Sequence, residues 1–359
     1  VPDVDMQGGS RDVARKIVGL DIGTTAVRAA ELSVRRGRVV LDRLGQTGLP
    51  PGAVVDGEVA DPPAVTVAIK ALWRHARIGS KHVIVGVANQ RVVVRLVDLP
   101  WMQPQELQRS LAYQAGDYLP IPVDEAELDY HVVGEFENAG GQRLLRVLLA
   151  AAQKEMLAGH LKAVTAAGLQ PVGIDLSPIA LLRALAAPAG LADGAEAVVD
   201  VGARITNMVI HDNGVLRFVR ILLMGGEDTT STLERVLEVD HDAAERTKLA
   251  VSTGLDVDAE AAELVEQRLD VLVEEIRGSL DFYRAQQDAT PLARVLVSGG
   301  GSQLGPLVGR LQAAGSVPVE RGSALAGVQV GRLGLRAEQL AELEPKMAIP
   351  VGLALGAVA

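Results

Sequence analysis

Asp21, Gly23, Thr24 and Thr25 in VGLDIGTTAVRAAEL (18–32), and Asp200 and Gly202 in VVDVGARITNMVIHDNG (198–214), are the residues of this chain best suited to holding a charged ligand. Each stretch is an apolar run, an Asp, an apolar residue and a Gly, then small or hydroxyl residues and a second apolar run. In a tight turn between strands, a glycine lets backbone amides approach an anion closely, and threonine hydroxyls add donors to phosphate oxygens. The two aspartates cannot bind phosphate themselves. They suit Mg²⁺ held through its water shell, because that ion keeps several waters and takes only one or two carboxylates. Two such turns, one from each half of the chain, would clamp a polyphosphate and its metal between them. A single Asp-x-Gly taken alone is more simply read as a plain hairpin.

Two further glycine clusters carry possible ligand contacts. SGGGS at 298–302 brings Gly299, Gly300 and Gly301 between a strand pattern and a helix pattern, where backbone could meet a ribose or phosphate. It is not a dinucleotide fingerprint, since Leu304 stands three beyond Gly301, and the chain has no GxxxxGK[ST] phosphate loop. Met224-Gly225-Gly226-Glu227 opens a predicted helix, whose N-terminus favours anions. Other chemistries find little support. The 6 histidines are scattered, with His75 and His82 the nearest pair, so no zinc motif forms, and no GxSxG nucleophile elbow occurs. Cysteine is absent, which removes disulfides, thiolate metal sites and a cysteine nucleophile, and suits a reducing compartment.

Composition sets the outer limits. The 359 residues allow two domains of ordinary size, and 48% hydrophobic with 22% charged residues allows substantial cores. A net charge of -10 argues against a nucleic-acid binder, and 3% aromatic content against base-stacking platforms. The one dense basic cluster, Arg35, Arg36 and Arg38 around Gly37, reads as a solvated hairpin turn. Residues 1–16 lack the apolar core of a signal peptide and read as a flexible tail. AIPVGLALGAVA at the C-terminus is shorter than the roughly 20 residues that span a bilayer. It reads as a Gly- and Ala-rich helix packed into the body, so the chain is expected to be soluble.

These residues must be positioned by alternating strands and helices, an α/β architecture. Strands are predicted at 17–22, 26–34 and 38–44, a helix at 61–77, strands at 82–87 and 91–99, and a helix at 104–118. A buried strand LLRVLLAAA, a helix at 154–167, a strand PVGIDL and a helix opening on Pro178 follow. From Glu196 the three-strand pattern begins again at 196–201, 204–211 and 215–221, with HDNG as a tight turn. Helices are predicted near 227–238 and 241–252. Val265, Leu269, Leu272, Ile276, Leu280 and Tyr283 mark the buried face of a third at 259–287.

In order and spacing, DIGTT, DVGA, MGGE, SGGG and the terminal AIPVGLALGA resemble the five landmarks of the actin, Hsp70 and sugar-kinase superfamily. The resemblance covers nearly the whole chain. It implies a duplicated, ribonuclease-H-like, actin-like fold with ATP and Mg²⁺ in the cleft between two halves. It also implies that SGGGSQLG is the adenosine loop. Glu245 and Lys248 of AAERTKLAV, three apart on one helix face, would then reach adenine and ribose; the other reading is a surface ion pair.

LPWMQPQELQRSLAYQAGDYLPIPVDEAELDYHVVG (99–134) resembles the signature of the PilM family of type IV pilus assembly proteins. There a helix ends in a Tyr-x-Pro-x-Pro turn before an acidic strand, here Tyr118, Pro120 and Pro122, then Leu128, Asp129 and Tyr130. That family is similar to the cell-division protein FtsA in carrying a small subdomain inside the first half. The implied division is a first half of 17–81 with 166–195 and 331–359, an inserted subdomain at 82–165, and a second half at 196–330 with a helical part near 227–291. Members are cytoplasmic and bind ATP. They take the N-terminal tail of the membrane protein PilN, which recruits them to the inner face of the cytoplasmic membrane. Val92, Val94 and Leu96 of RVVVRLVDL with Tyr118 are the expected partner groove; the alternative is that the three strand residues are the subdomain's own inward face.

One position departs from the pattern. Many relatives have a Glu before the Pro of GIDLSPIALLRAL, where actin-fold ATPases position the attacking water; this chain has Ser177. A serine is neutral and a far weaker base, so hydrolysis is expected to be slow or absent. Asp175, two residues back on the same strand face, is a poor substitute. The alternatives are an FtsA- or actin-like ATPase that self-associates into filaments, and a small-molecule kinase on the same fold. The kinase would need an acceptor pocket and a base, for which the inserted subdomain offers no obvious candidate.

Overall fold

The computed structural model describes residues 16–138, 140–186, 194–255 and 257–358. The expected tail therefore lies outside the described residues except for Lys16, as do residues 187–193 of the expected first half.

The first sheet grows from a meander of β1 (Lys16–Ile22), β2 (Ala26–Arg35) and β3 (Arg38–Gly48). Arg36 and Gly37, with φ of 52° and 73°, make the β2–β3 turn, so the basic cluster is a hairpin tip. β4 (Val54–Val55) and β5 (Glu58–Val59) form a small hairpin before α1 (Pro62–Ala76). That helix begins where the Asp61 carboxylate accepts from the Ala64 amide, with prolines in its first turn. β6 (His82–Val87) then runs parallel to β1.

β7 (Val92–Pro100), α2 (Pro104–Tyr118), β8 (Ala126–Glu137) and β9 (Arg143–Gln153) build a separate three-stranded sheet in the order β7-β9-β8. The chain returns through α3 (Lys154–Ala166), β10 (Gln170–Leu176) and α4 (Ser177–Leu185). β10 lies parallel to β6 at the edge of the first sheet. The inserted unit is narrower than the 82–165 anticipated. β6 belongs to the first sheet, and α3 buries Ala163 and Val164 in the core under α1.

The second half repeats the plan. β11 (Ala195–Val201), β12 (Thr206–Asp212) and β13 (Val215–Leu222) form the meander, with Asn213 and Gly214 at φ 50° and 83° in its hairpin turn. α5 (Gly226–Leu237), α6 (His241–Ser252) and α7 (Ala259–Arg284) follow, then β14 (Leu292–Ser298), α8 (Gly305–Ala314) and β15 (Val319–Arg321). Its sheet order, β13-β12-β11-β14-β15, matches β3-β2-β1-β6-β10 of the first. The crossing back is made by β16 (Gln329–Val330), which pairs with β3, and by α9 (Ala337–Leu343).

α10 (Ala348–Val358) wedges between β1 and α4. Its glycines explain the close fit. A Cβ on Gly352 would lie 1.8 Å from the Ala180 carbonyl oxygen, and one on Gly19 of β1 would lie 1.9 Å from that of Pro350. The apolar C-terminus is thus a core helix. No helix among the described residues is long and apolar enough to cross a membrane.

Candidate functional site

The two Asp-x-Gly turns meet at one cleft. Gly23 N donates to Ala26 O at 3.0 Å, and Gly202 N donates to Ile205 O at 2.9 Å, so the same bond closes both turns. A side chain would crowd either turn. A Cβ on Gly23 would stand 2.9 Å from an Arg28 nitrogen, and one on Gly202 2.6 Å from Ile205 O. Asp21, Gly23, Thr24 and Thr25 line one wall, and Asp200 and Gly202 the other.

The aspartates sit near the ends of β1 and β11, the first strands of their meanders, and both line the cleft. Burial raises the Asp21 pKa, while Arg28, 3.3 Å away, opposes the shift. Asp200 is pushed up to about 7, first by burial and then by the negative charge of Asp21. Two buried carboxylates that repel each other favour a cation or a shared proton. Their oxygens, together with the threonine hydroxyls, are hard donors of the kind Mg²⁺ takes, and Asn207 Oδ1 and Arg28 Nε lie nearby, buried and without partners.

Arg28 and Asn207 were not singled out from the sequence, although a signal for them exists. Each antiparallel turn sets the seventh residue after its Asp directly across from it: Asp21 pairs with Arg28, and Asp200 with Asn207. The repeat is therefore longer than Asp-x-Gly, and it ends in a side chain that faces the cleft. Arg204 also lines it, bonded to Asp228 at 3.2 Å and to Ser231 at 3.0 Å.

The remaining residues expected to hold the nucleotide surround the second turn without lining the cleft. Gly226 N and Glu227 N donate to the carbonyls of Gly202 and Ala203 at 3.0 and 2.7 Å, so the first amides of α5 brace the turn. Gly225 is needed for this approach, since its Cβ would lie 2.4 Å from Gly202 O. Gly299 has φ +85° and would place a Cβ 2.4 Å from Val201 O, and Gly301 would place one 2.3 Å from a Val201 methyl carbon. The glycine loop thus presses on the strand that ends in the DVGA turn.

Lys346 lies beside Gly300, its charged form disfavoured mainly by burial. This residue too went unnoticed in the sequence. Glu245 and Lys248 form an ion pair at 2.5 Å, but not on the surface. Lys248 is buried, and its ammonium also donates to Thr230 Oγ1 at 2.8 Å and to Gly226 O at 3.2 Å. Glu227 stands 3.6 Å from His241.

Ser177 begins α4 and is buried on the cleft wall beside Gly86. Asp175 is not free to replace it: one oxygen accepts from the Leu176 amide and the other binds Arg183. Nor do the four expected partner residues form one groove. Val92 packs with Val87, Ala152 and Met156, while Val94 and Leu96 face the body, where Ile221 and Val219 also pack. α2 covers the opposite face of the small sheet through Leu99, Leu107, Leu111 and Leu145. Period-two alternation separates the faces, and Tyr118, which ends α2, belongs to the other one.

Residues 19–358 match the family described as type IV pilus assembly protein PilM. The chain belongs to that family. In the structure of a PilM-PilN type IV pilus biogenesis complex, a chain 30% identical superposes with a TM-score of 0.83, covering 96% of this chain and 98% of that one. The cell division protein FtsA of Streptococcus pneumoniae is 27% identical over 252 residues, 64% of this chain and 54% of FtsA, so the match spans about half of that relative. The ethanolamine utilization protein EutJ of Carboxydothermus hydrogenoformans shares the fold at 16% identity, with a TM-score of 0.54 over 95% of this chain and 89% of that one. The PilM-family assignment and the actin-like α/β fold agree with the reading of the sequence.

Proposed function

We propose that this PilM-family protein is an ATP-binding scaffold of pilus assembly. The observation that carries the reading is the pair of turns closing on one cleft with opposed carboxylates. Mg²⁺ would be held through water by Asp21 and Asp200, and the phosphates by the amides that follow Gly23 and Gly202 in the two turns, the hydroxyls of Thr24 and Thr25, and Arg28. Lys346 and the 299–301 loop would flank the nucleoside, with Glu227, Glu245 and Lys248 setting the shelf beneath it. The metal neutralises phosphate charge when bound. Ser177 offers no base, which supports slow turnover or none.

The partner in this reading is the N-terminal tail of a PilN-like membrane protein, and it would draw the chain to the inner face of the cytoplasmic membrane. Since Val92, Val94 and Leu96 are engaged by the body, the seat assigned to the tail is the outer edge of β10, which pairs with no strand among the described residues. Val172 is 49% exposed there and Ile174 36%, and Leu176 at the strand's end packs beside the small sheet. An extended tail added to that edge would gain main-chain hydrogen bonds and two apolar contacts. The test is a titration of the tail peptide with and without Mg²⁺ and a non-hydrolysable ATP analogue. Analogue binding to one site per chain, with tail binding lost in Val172→Asp/Ile174→Asp, is expected. Failure of the analogue to bind would remove the nucleotide role, and unchanged tail binding in the double variant would move the seat elsewhere.

A further inference from the structure

The cleft wall holds an ionisable group that neither turn uses. His160 lies on α3 and is only 1% exposed, yet it lines the cleft with Gly57, Gly86, Ala88 and Ser177. Its Nδ1 is 3.1 Å from the Met156 carbonyl oxygen, one helical turn back. A carbonyl only accepts, so Nδ1 carries the proton and Nε2 keeps a free lone pair. Burial holds the His160 pKa below the usual imidazole value, which favours the neutral ring.

The rival acceptors at the site are engaged. Asp175 is bound by Arg183 and the Leu176 amide and Asp21 by Arg28, and Asp200 serves the metal in the nucleotide reading. A neutral imidazole with one tautomer fixed is the form a general base needs.

We infer that His160 Nε2 is the proton acceptor for hydrolysis of a nucleoside triphosphate held in this cleft, standing in for the carboxylate missing at Ser177. This rests on the nucleotide reading above. A water oxygen bonds to the γ-phosphorus while the bond from that phosphorus to the β,γ-bridging oxygen breaks. The electron pair of the broken bond stays on the diphosphate. The water's proton passes to Nε2 and then to solvent. No further reactant is required. The Nδ1 partner is a backbone carbonyl, not a carboxylate, so the ring is oriented without a buried negative charge to stabilise the imidazolium, and turnover is slow.

Single-turnover release of phosphate, with the full chain in excess over radiolabelled ATP and Mg²⁺, tests the assignment. His160→Asn can keep a donor to the Met156 carbonyl and so control for packing; His160→Ala opens space for added imidazole. Both variants should lower the rate constant about 100-fold, the lower end for a general base. Affinity for a non-hydrolysable analogue should stay within about twofold, since binding and proton transfer are separate contributions. Imidazole should restore part of the rate to His160→Ala and none to the wild type.

A readout independent of turnover is nitrogen NMR of the labelled His160 ring. It should show the Nδ1-protonated tautomer in the free chain and a shift at Nε2 on adding ADP with aluminium fluoride, but not ADP alone. If the analogue does not bind the wild type, the nucleotide reading fails and the inference falls with it. If it binds while either variant hydrolyses at the wild-type rate, the wild type releases no phosphate above background, or the Nε2 resonance stays put, the nucleotide reading stands and the role of His160 is overturned.

Discussion

Replacing Asp200 with Asn should make the ligand-free chain more stable and blind to Mg²⁺·ATP at the same time. The carboxyl is 5% exposed, and its pKa rises from 3.8 to about 7 through burial and the charge of Asp21. Between those values the folded state takes up a proton that the unfolded chain does not. Stability therefore falls as pH rises from about 4 to about 7, and above that the full cost of the buried charge is present. A shift of that size corresponds to about 4 kcal/mol.

Asn keeps the shape while removing the charge. The stabilisation of Asp200→Asn over the wild type should thus be near zero at about pH 4 and grow to about 4 kcal/mol by about pH 8, or roughly 8–16 °C in melting temperature for halves of this size. Urea denaturation of the ligand-free chain across that pH range measures it. The variant should lose the thermal shift given by Mg²⁺ and ATP, which for the wild type is about 2.7 kcal/mol at a hundredfold excess over Kd. A stability difference that does not change with pH would refute the opposed-carboxylate argument. So would a variant that still responds to Mg²⁺·ATP.

Arg28→Met removes the cation that faces Asp21. Analogue affinity measured calorimetrically should drop about 10- to 100-fold, the range for one charge-assisted hydrogen bond. Gly352→Ala puts a methyl group where only 1.8 Å separates it from the Ala180 carbonyl oxygen. It should cost about 3 kcal/mol in urea denaturation, at the upper end for overpacking, and a variant as stable as wild type would mean that α10 and α4 are less closely apposed.

Much of the fold was legible because the duplication is written in local signals. Asn213-Gly214 and Arg36-Gly37 supply the left-handed residues their hairpins require, and the apolar runs on either side fix the strands. What escaped the sequence was decided by tertiary partners. HVIVGV reads as a strand in any sheet; only its parallel register with β1 assigns it to the first half and not to the inserted unit. RVVVRLVDL has apolar residues on both faces, so alternation alone could not say that Val92, Val94 and Leu96 meet the body while Val93, Val97 and Leu99 face the α2 side. Spacing put Glu245 and Lys248 on one helix face, but not that α5 would bury the lysine.

Where the two copies differ, the difference acts on the cleft's charge. Asp21 and Asp200 are retained in both halves, whereas the cross-strand position holds Arg28 in one and Asn207 in the other. An arginine in both would neutralise both carboxylates and leave the divalent cation little to bind. An asparagine in both would set two unrelieved buried carboxylates against each other, a charge the ligand-free fold would have to protonate or solvate. With one of each, Arg28 opposes the burial that raises the Asp21 pKa, while Asp200 stays poised between proton and metal. The asymmetric pair thus leaves one excess negative charge, enough to attract the cation and little enough to survive without it.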